Sequence, residues 1–276
     1  MKKVLSIAGS DCSGGAGVQA DLKTFSALGA YGMSVITSVV AENTCRVLAV
    51  SDVPPDMVAR QIDAVFEDIE VDAVKIGMLP TPGCMREVAA KLNHYRPTNI
   101  VIDPVMYAKN GCPLMERDAV LALTKWVIPL ADVLTPNIPE AEQITGKKIH
   151  SVRDMEESAK AIHKMGCKAV VVKGGHSTQS ALDILFDGKR IRHFDAARIN
   201  TKNTHGTGCT FSSAIAALLA EGMCLDAAVQ QAKTYVTIAI QHSLDIGKGH
   251  GPTHHFYNLY EYGLAKRLSG SAHMTN

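Results

Sequence analysis

Charge of one sign is what this sequence lacks first. Lys and Arg number 28 against 27 Asp and Glu, a net charge of +1 over 276 residues. Proteins that grip nucleic acid or other polyanions carry a clear basic excess, so that class is excluded. Long apolar runs are missing too, and none approaches the roughly 20 residues needed to cross a bilayer. The start, Met1-Lys2-Lys3-Val4-Leu5-Ser6-Ile7-Ala8-Gly9, has the outline of a secretory leader, but its apolar stretch stops at Ser10-Asp11. No h-region forms, and a first strand is the better reading. Paired cysteines are also absent: the seven present are an odd, scattered set without a C-x-x-C. That is the pattern of free thiols in a reducing cytoplasm, not of a disulfide framework or structural zinc. A G-x-x-x-x-G-K-[ST] sequence occurs nowhere, which excludes a P-loop kinase.

What is present is ordinary for a globular chain: 46% hydrophobic and 20% charged residues, enough for a sizeable core. Short apolar runs at Val4–Ala8, Val35–Val40, Ala73–Ile76, Ile100–Ile102, Val133–Leu134 and Ala169–Val172 predict strands. Between them lie helical patterns, such as Val18, Leu22, Phe25 and Leu28, ended by Gly29 and Gly32, or Val58, Ile62, Val65 and Ile69 after Pro54-Pro55. Further helices are predicted around Met85–Leu92, over Leu121–Ile128, from Pro139 to Gly146 and from Ser151 to Gly166. Ala181–Phe186 and Arg190–Phe194 around Asp187-Gly188 predict a hairpin, and Thr210–Ala220 and Leu225–Ser243 two closing helices. Alternating strands and helices imply a three-layer α/β/α, doubly wound, mostly parallel sheet with a small antiparallel edge. No repeat or linker interrupts it, so one domain is expected over 1–268, then a polar tail over 269–276.

Asn203-Thr204-His205-Gly206-Thr207-Gly208-Cys209-Thr210 stands directly before an Ala-rich helix. Gly206 and Gly208 let successive N–H groups turn toward one point, and the helix behind adds unsatisfied donors and a positive dipole end. Such a mouth holds an anion, most naturally phosphate. A cysteine at a helix entrance is expected to have a lowered pKa, so Cys209 could accept a hydroxyl proton during phosphoryl transfer. A tight turn with an inert buried cysteine would use the same residues. Gly15-Ala16-Gly17-Val18-Gln19-Ala20, with Glu42 beyond it, matches the dinucleotide-binding pattern and keeps a nicotinamide-dependent dehydrogenase open. The same turn could instead close around a small substrate.

Asp103 and Asn137-Ile138-Pro139-Glu140 follow strands, at the edge where doubly wound sheets bind ligands. They could surround Mg²⁺, which favours oxygen ligands, or Asn137–Glu140 could simply open a helix. Lys173-Gly174-Gly175 puts a cation at the same edge, for phosphates or as a turn lysine. Met106–Leu114 could form a lid or an ordinary connection. Adjacent His254 and His255 suit structural hydrogen bonds better than a shared metal.

Together these segments resemble the ribokinase-like superfamily, and within it the hydroxymethylpyrimidine and phosphomethylpyrimidine kinases of thiamine biosynthesis. The resemblance runs through Ala8-Gly9-Ser10-Asp11, Ser13–Gly17, Gln19–Thr24, Lys75-Ile76-Gly77-Met78, Asp103–Met106, Thr135–Asn137 with Glu140, Lys173–Gly175, Asn203–Thr210 and Gly251–His255. It implies phosphorylation of 4-amino-5-hydroxymethyl-2-methylpyrimidine and then of its monophosphate, with ATP and Mg²⁺, in a cytoplasmic homodimer. It further implies an anion hole at Gly206, Thr207, Gly208 and Cys209, with Cys209 as base. The pyrimidine would face Gly9, Asp21, Glu42 and Met78. Asp103, Asn137 and Glu140 would serve the metal–phosphate region, Lys173 and Thr207 the nucleotide, and Ala108, Lys109 and Cys112 the lid. Some pyridoxal kinases of this family carry a lid cysteine where this chain has Ala108, which favours pyrimidines over pyridoxal. Glu42 departs from the Gln common in similar kinases. An ionised Glu only accepts hydrogen bonds, so reading an aminopyrimidine edge requires a proton on Glu42 or on the ring, or a different ligand. A binder without turnover is the remaining class.

Overall fold

The computed structural model describes residues 1–107, 117–175 and 181–264. Among these residues nine strands form one sheet: β1 (Lys3–Asp11), β2 (Tyr31–Glu42), β3 (Val47–Asp52), β4 (Ala73–Ile76), β5 (Ile100–Ile102), β6 (Val133–Leu134), β7 (Val170–Lys173), β8 (Asp183–Phe186) and β9 (Ile191–Phe194). Their spatial order is β3-β2-β1-β4-β5-β6-β7-β8-β9. The strands from β2 across to β7 run parallel, while β3 closes one edge and β8 and β9 the other, all three antiparallel to their neighbours. Helices α1 (Gly17–Ala27), α2 (Pro55–Phe66), α3 (Pro82–Tyr95), α4 (Arg117–Ala122), α5 (Ile138–Thr145), α6 (Val152–His163), α7 (Thr207–Ala220) and α8 (Leu225–Gln241) cover it.

The strands are buried on both faces, and their side chains divide with the period of two. Leu5, Ile7, Val74, Ile76, Ile102, Leu134 and Val170 pack into one core with Val58 and Ile62 of α2, Met85 and Val88 of α3, and Ala159 and Ile162 of α6. Val4, Ala73, Val101, Val133 and Val171 point the other way, onto Phe25 of α1, Phe211 and Ile215 of α7, and Val229 of α8. Two apolar layers therefore flank the sheet, the three-layer arrangement expected. β1 has β2 on one side and β4 on the other, so the winding direction changes beside it. Ligands of such sheets bind at the strands' carboxyl ends near this reversal.

Three expectations change. The strand at Val35–Val40 is the middle of a longer β2, and β3 pairs with it as a hairpin that the sequence reading did not include. β3 is exposed along most of its length, so it lacks the buried apolar run that marks the parallel strands. Gly29 ends α1 with φ +83, but Gly32 already lies in β2. The helix expected over Leu121–Ile128 begins at Arg117, passes into a π-helical turn at Leu123–Val127 and tightens to a 3₁₀ turn at Ile128–Leu130, where Pro129 blocks continuation. Residues 269–276 lie outside the described residues.

Candidate active site

A cavity of about 850 Å³ opens at the carboxyl ends of the parallel strands. Gly9, Glu42 and Met78 line one end; Gly206, Thr207, Gly208 and Cys209 form its middle wall; Asp103, Asn137, Glu140 and Lys173 line the far end. One of the expected residues is not there. Asp21 is wholly buried beneath the cavity, where Lys75 Nζ lies 2.9 Å from both its oxygens and the Ser6 and Ser213 hydroxyls donate to it at 2.6 and 2.7 Å. It thus holds an ion pair rather than facing a substrate. Lys75, to which sequence reading attached no role, reaches the cavity instead. Ala108, Lys109 and Cys112 fall outside the described residues.

The middle wall is built by two interlocking glycine loops. Gly206, at φ +77, is the N-cap of α7 and supplies no side-chain cap. Thr207 N–H reaches back to the Thr204 carbonyl at 3.4 Å, and the N–H groups of Gly208 and Cys209 behind it are left for a ligand. A Cβ on Gly206 would come within 1.7 Å of the Gly15 carbonyl oxygen, and one on Gly15 within 2.3 Å of the His205 ring. Of the glycines that matched a dinucleotide motif, Gly15 is thus explained by packing against the second loop, and Gly17, at φ +55, by its close approach to β1, where a Cβ would come within 2.4 Å of the Gly9 carbonyl oxygen. Asp11 locks the loops together. Its carboxylate accepts the N–H groups of Ser13, Gly15 and Ala16 at 2.7, 3.0 and 2.7 Å and meets His205 Nε2 at 2.8 Å. Burial opposes its charge, but the hydrogen bonds from His205 and Ser13 outweigh it and hold the carboxyl well below the usual range.

Glu42 stands beside this pair. Its carboxylate, Asp11 and His205 bring ligand atoms within 4.8 Å of one another, the spacing of a cation site. Asp11, however, already spends its oxygens on three amides and His205. The cluster reads as a hydrogen-bonded hub. Burial, helped by the Asp11 charge and opposed by His205, pushes Glu42 up to about 7. Near neutral pH its protonated form can both donate and accept, as a Gln amide does.

Cys209 corrects the expectation of a lowered pKa. Burial pushes its thiol up to about 11; Lys75 opposes this, Asp21 and Asp103 add to it, and the Gly17 N–H directed at the sulfur opposes it again. Desolvation outweighs the helix dipole here.

At the far end Lys173 pairs with Asp103 at 2.6 Å, and Thr135 donates to the same carboxylate at 3.2 Å. A Cβ on Gly208 would lie 3.3 Å from Asp103 Oδ2 and 3.5 Å from Lys173 Nζ, so this pair abuts the helix mouth. Burial opposes the Lys173 charge, yet Asp103 and Glu140 hold it above its ordinary value. Asn137 and Glu140 form the capping box of α5, the simpler of the two readings, and both still line the cavity. Burial raises Glu140, against Lys173 and with Asp103. Asp183 and Lys233, a buried pair at 2.7 Å, extend this end and were not singled out from sequence. They lie 50 positions apart, and no local motif joins them. His255 is a core histidine: its Nε2 lies 3.0 Å from Thr210 Oγ1, and burial pushes it down to about 4.

Comparison with known proteins agrees with this geometry. The family model described as phosphomethylpyrimidine kinase matches residues 11–254. The chain is 51% identical over 253 residues to the thiamine biosynthesis bifunctional protein ThiED of Geobacter sulfurreducens, covering 91% of this chain and 52% of that protein, so it spans about half that relative's length. It is 48% identical over 261 residues to the hydroxymethylpyrimidine/phosphomethylpyrimidine kinase of Haemophilus influenzae, covering 93% of this chain and 97% of that one. The crystal structure of an ADP complex of Bacillus subtilis pyridoxal kinase superposes with a TM-score of 0.85 at 41% identity, over 92% of this chain and 97% of that one. With matches of this extent, the chain belongs to the phosphomethylpyrimidine kinase family and has its ribokinase-like α/β fold.

Proposed function

We propose that this cavity transfers the γ-phosphoryl group of ATP to the hydroxymethyl oxygen of 4-amino-5-hydroxymethyl-2-methylpyrimidine and then to the phosphate of the product, in thiamine biosynthesis. The observation that carries the reading is the uncapped mouth of α7, set between Glu42 and Met78 at one end and Lys173 and Asp103 at the other. The pyrimidine lies at the Glu42 end, where a protonated Glu42 reads the ring nitrogen and exocyclic amine. The triphosphate lies toward Lys173, with its γ-phosphorus at the N–H groups of Gly206–Cys209. The hydroxymethyl oxygen bonds to γ-phosphorus as the bond to the β–γ bridging oxygen breaks and ADP leaves. Preorganised amides at the mouth stabilise the moving charge.

The hydroxyl proton passes to the Cys209 thiolate. At a pKa of about 11 that form is scarce near neutrality, so the first phosphorylation quickens with pH. In the second reaction a phosphate oxygen, already ionised, is the nucleophile and no base is needed. Mg²⁺, when bound with the triphosphate, supplies further positive charge. The carboxylates of Asp103 and Glu140 would hold it: Lys173 and Thr135 both take Asp103 Oδ1, so Oδ2 on the Gly208 side would serve the ion, while Glu140 Oε2 is spent on the capping box. A cytoplasmic homodimer belongs to the same reading.

Pyridoxal is the second candidate substrate, since a pyridoxal kinase shares this fold at 41% identity. A coupled ATP-consumption assay across the hydroxymethylpyrimidine, its monophosphate and the three B6 vitamers separates the two. Turnover of both pyrimidines with pyridoxal far behind is expected; a pyridoxal kcat/KM equal to that of the hydroxymethylpyrimidine overturns the assignment. No ATP consumption with either class of substrate would leave only a binder.

A further inference from the structure

Cys209 and Ser213 are four residues apart on α7 and so share one face of the helix, one turn from each other. The Ser213 hydroxyl donates to Asp21 Oδ1 at 2.7 Å, and the same carboxylate takes Ser6 on Oδ2 and Lys75 on both oxygens. The Asp21–Lys75 pair therefore lies against the face that carries Cys209. Both partners are completely buried, yet Lys75 lines the same cavity as Cys209. The chain keeps space for the ammonium: a Cβ on Gly77 would come within 2.8 Å of Lys75 Nζ. Two of the three ammonium hydrogens suffice for the Asp21 oxygens at 2.9 Å. A buried charge is costly to keep, and a hydrophobic pair of similar volume would stabilise the fold at least as well. Its presence under the reacting centre calls for a role there.

We propose that Lys75 is a positioning residue for phosphoryl transfer, its ammonium fixed by Asp21 so that negative charge is favoured at the Cys209 sulfur. The inference rests on the kinase reading above and deepens it. The charged groups around that sulfur are Lys75 on β4, Asp21 on α1, Asp103 after β5 and Lys173 on β7; α7 itself carries none. Burial opposes the Lys75 charge, but Asp21 above all, with Cys209 and Asp103, keeps it protonated. Lys75 is the strongest influence favouring the Cys209 thiolate, ahead of the opposing push of Asp21. Asp21 thus has a double effect, keeping the ammonium charged at the cost of part of its pull.

The test is the alkylation rate of Cys209 by iodoacetamide in the free enzyme, followed on the peptide that contains it by mass spectrometry at one mildly alkaline pH. Below its pKa the rate follows the thiolate fraction, which changes tenfold per pKa unit. Lys75→Met is expected to slow alkylation about tenfold or more, and Lys75→Arg to return it toward the wild-type rate. A merely structural lysine gives the opposite sign, because loosened packing exposes the thiol and speeds the reaction. Should Lys75→Met not fold, Asp21→Asn/Lys75→Met, which removes both charges, still slows alkylation, by a smaller factor. An unchanged or faster rate in whichever variant folds overturns the proposal. No substrate is present, so this outcome is independent of whether Cys209 acts as the base during turnover.

Discussion

Asp11 and His205, 194 positions apart in the chain, meet at 2.8 Å and join the loop after β1 to the mouth of α7. The contact ties the Glu42 end of the cavity to the uncapped start of α7.

Asp11→Asn should therefore damage both stability and catalysis. Loss of the charge-assisted bond and replacement of one acceptor oxygen by an NH₂ donor should cost about 1.5–3 kcal/mol in urea unfolding at neutral pH, with a fall in kcat as the mouth loosens. The sign of the pH dependence follows from the depressed carboxyl. Its contribution is full above the unfolded carboxyl's value of about 4 and is lost as pH falls from there toward the folded value. The gap in stability between wild type and variant should shrink accordingly on acidification; a constant gap contradicts the assignment.

Glu42 should make pyrimidine binding pH-dependent. With its pKa at about 7, the donating form disappears on the alkaline side, and KM for the hydroxymethylpyrimidine should rise there by up to about tenfold per pH unit. Glu42→Gln should give a flat profile, and Glu42→Ala a high KM throughout. An unchanged KM in Glu42→Ala removes this residue from the substrate site.

Much of the fold was legible because parallel strands buried on both faces are continuous apolar runs, as at Ile100–Ile102 and Val170–Val172. β3 was not, since its side chains face solvent. The residues of the α7 mouth were legible as well, because glycines before an Ala-rich helix form a local pattern. Asp21 and Cys209 were read with the wrong surroundings. Whether a carboxylate faces a ligand or a lysine 54 positions away, and whether desolvation exceeds a helix dipole, is decided by tertiary packing. Asp11 stood in the quoted motif, but its partner lies at the other end of the chain.

Cys209→Ala should separate the two reactions. The first phosphorylation should fall by about 10²-fold or more, while the second, which needs no base, should fall far less. The kcat of the first reaction in the wild type, measured at saturating pyrimidine, should also rise with pH toward a midpoint of about 11, and that of the second should not. Equal losses in both steps would remove the base role.

Lys173→Met should raise KM for ATP and also destabilise the fold. It leaves Asp103, 3% exposed, as an uncompensated buried charge, a loss on the order of 3–5 kcal/mol. Adding Asp103→Asn should recover most of the stability and none of the ATP affinity, as read by unfolding and by nucleotide titration. Recovery of both would place the nucleotide elsewhere.

A crystal structure with a non-hydrolysable ATP analogue and the hydroxymethylpyrimidine tests the transfer site most directly. The terminal phosphate should accept hydrogen bonds of about 3 Å from the N–H groups of Gly206–Cys209, with the hydroxymethyl oxygen facing its phosphorus. A terminal phosphate bound away from the start of α7 would contradict the account.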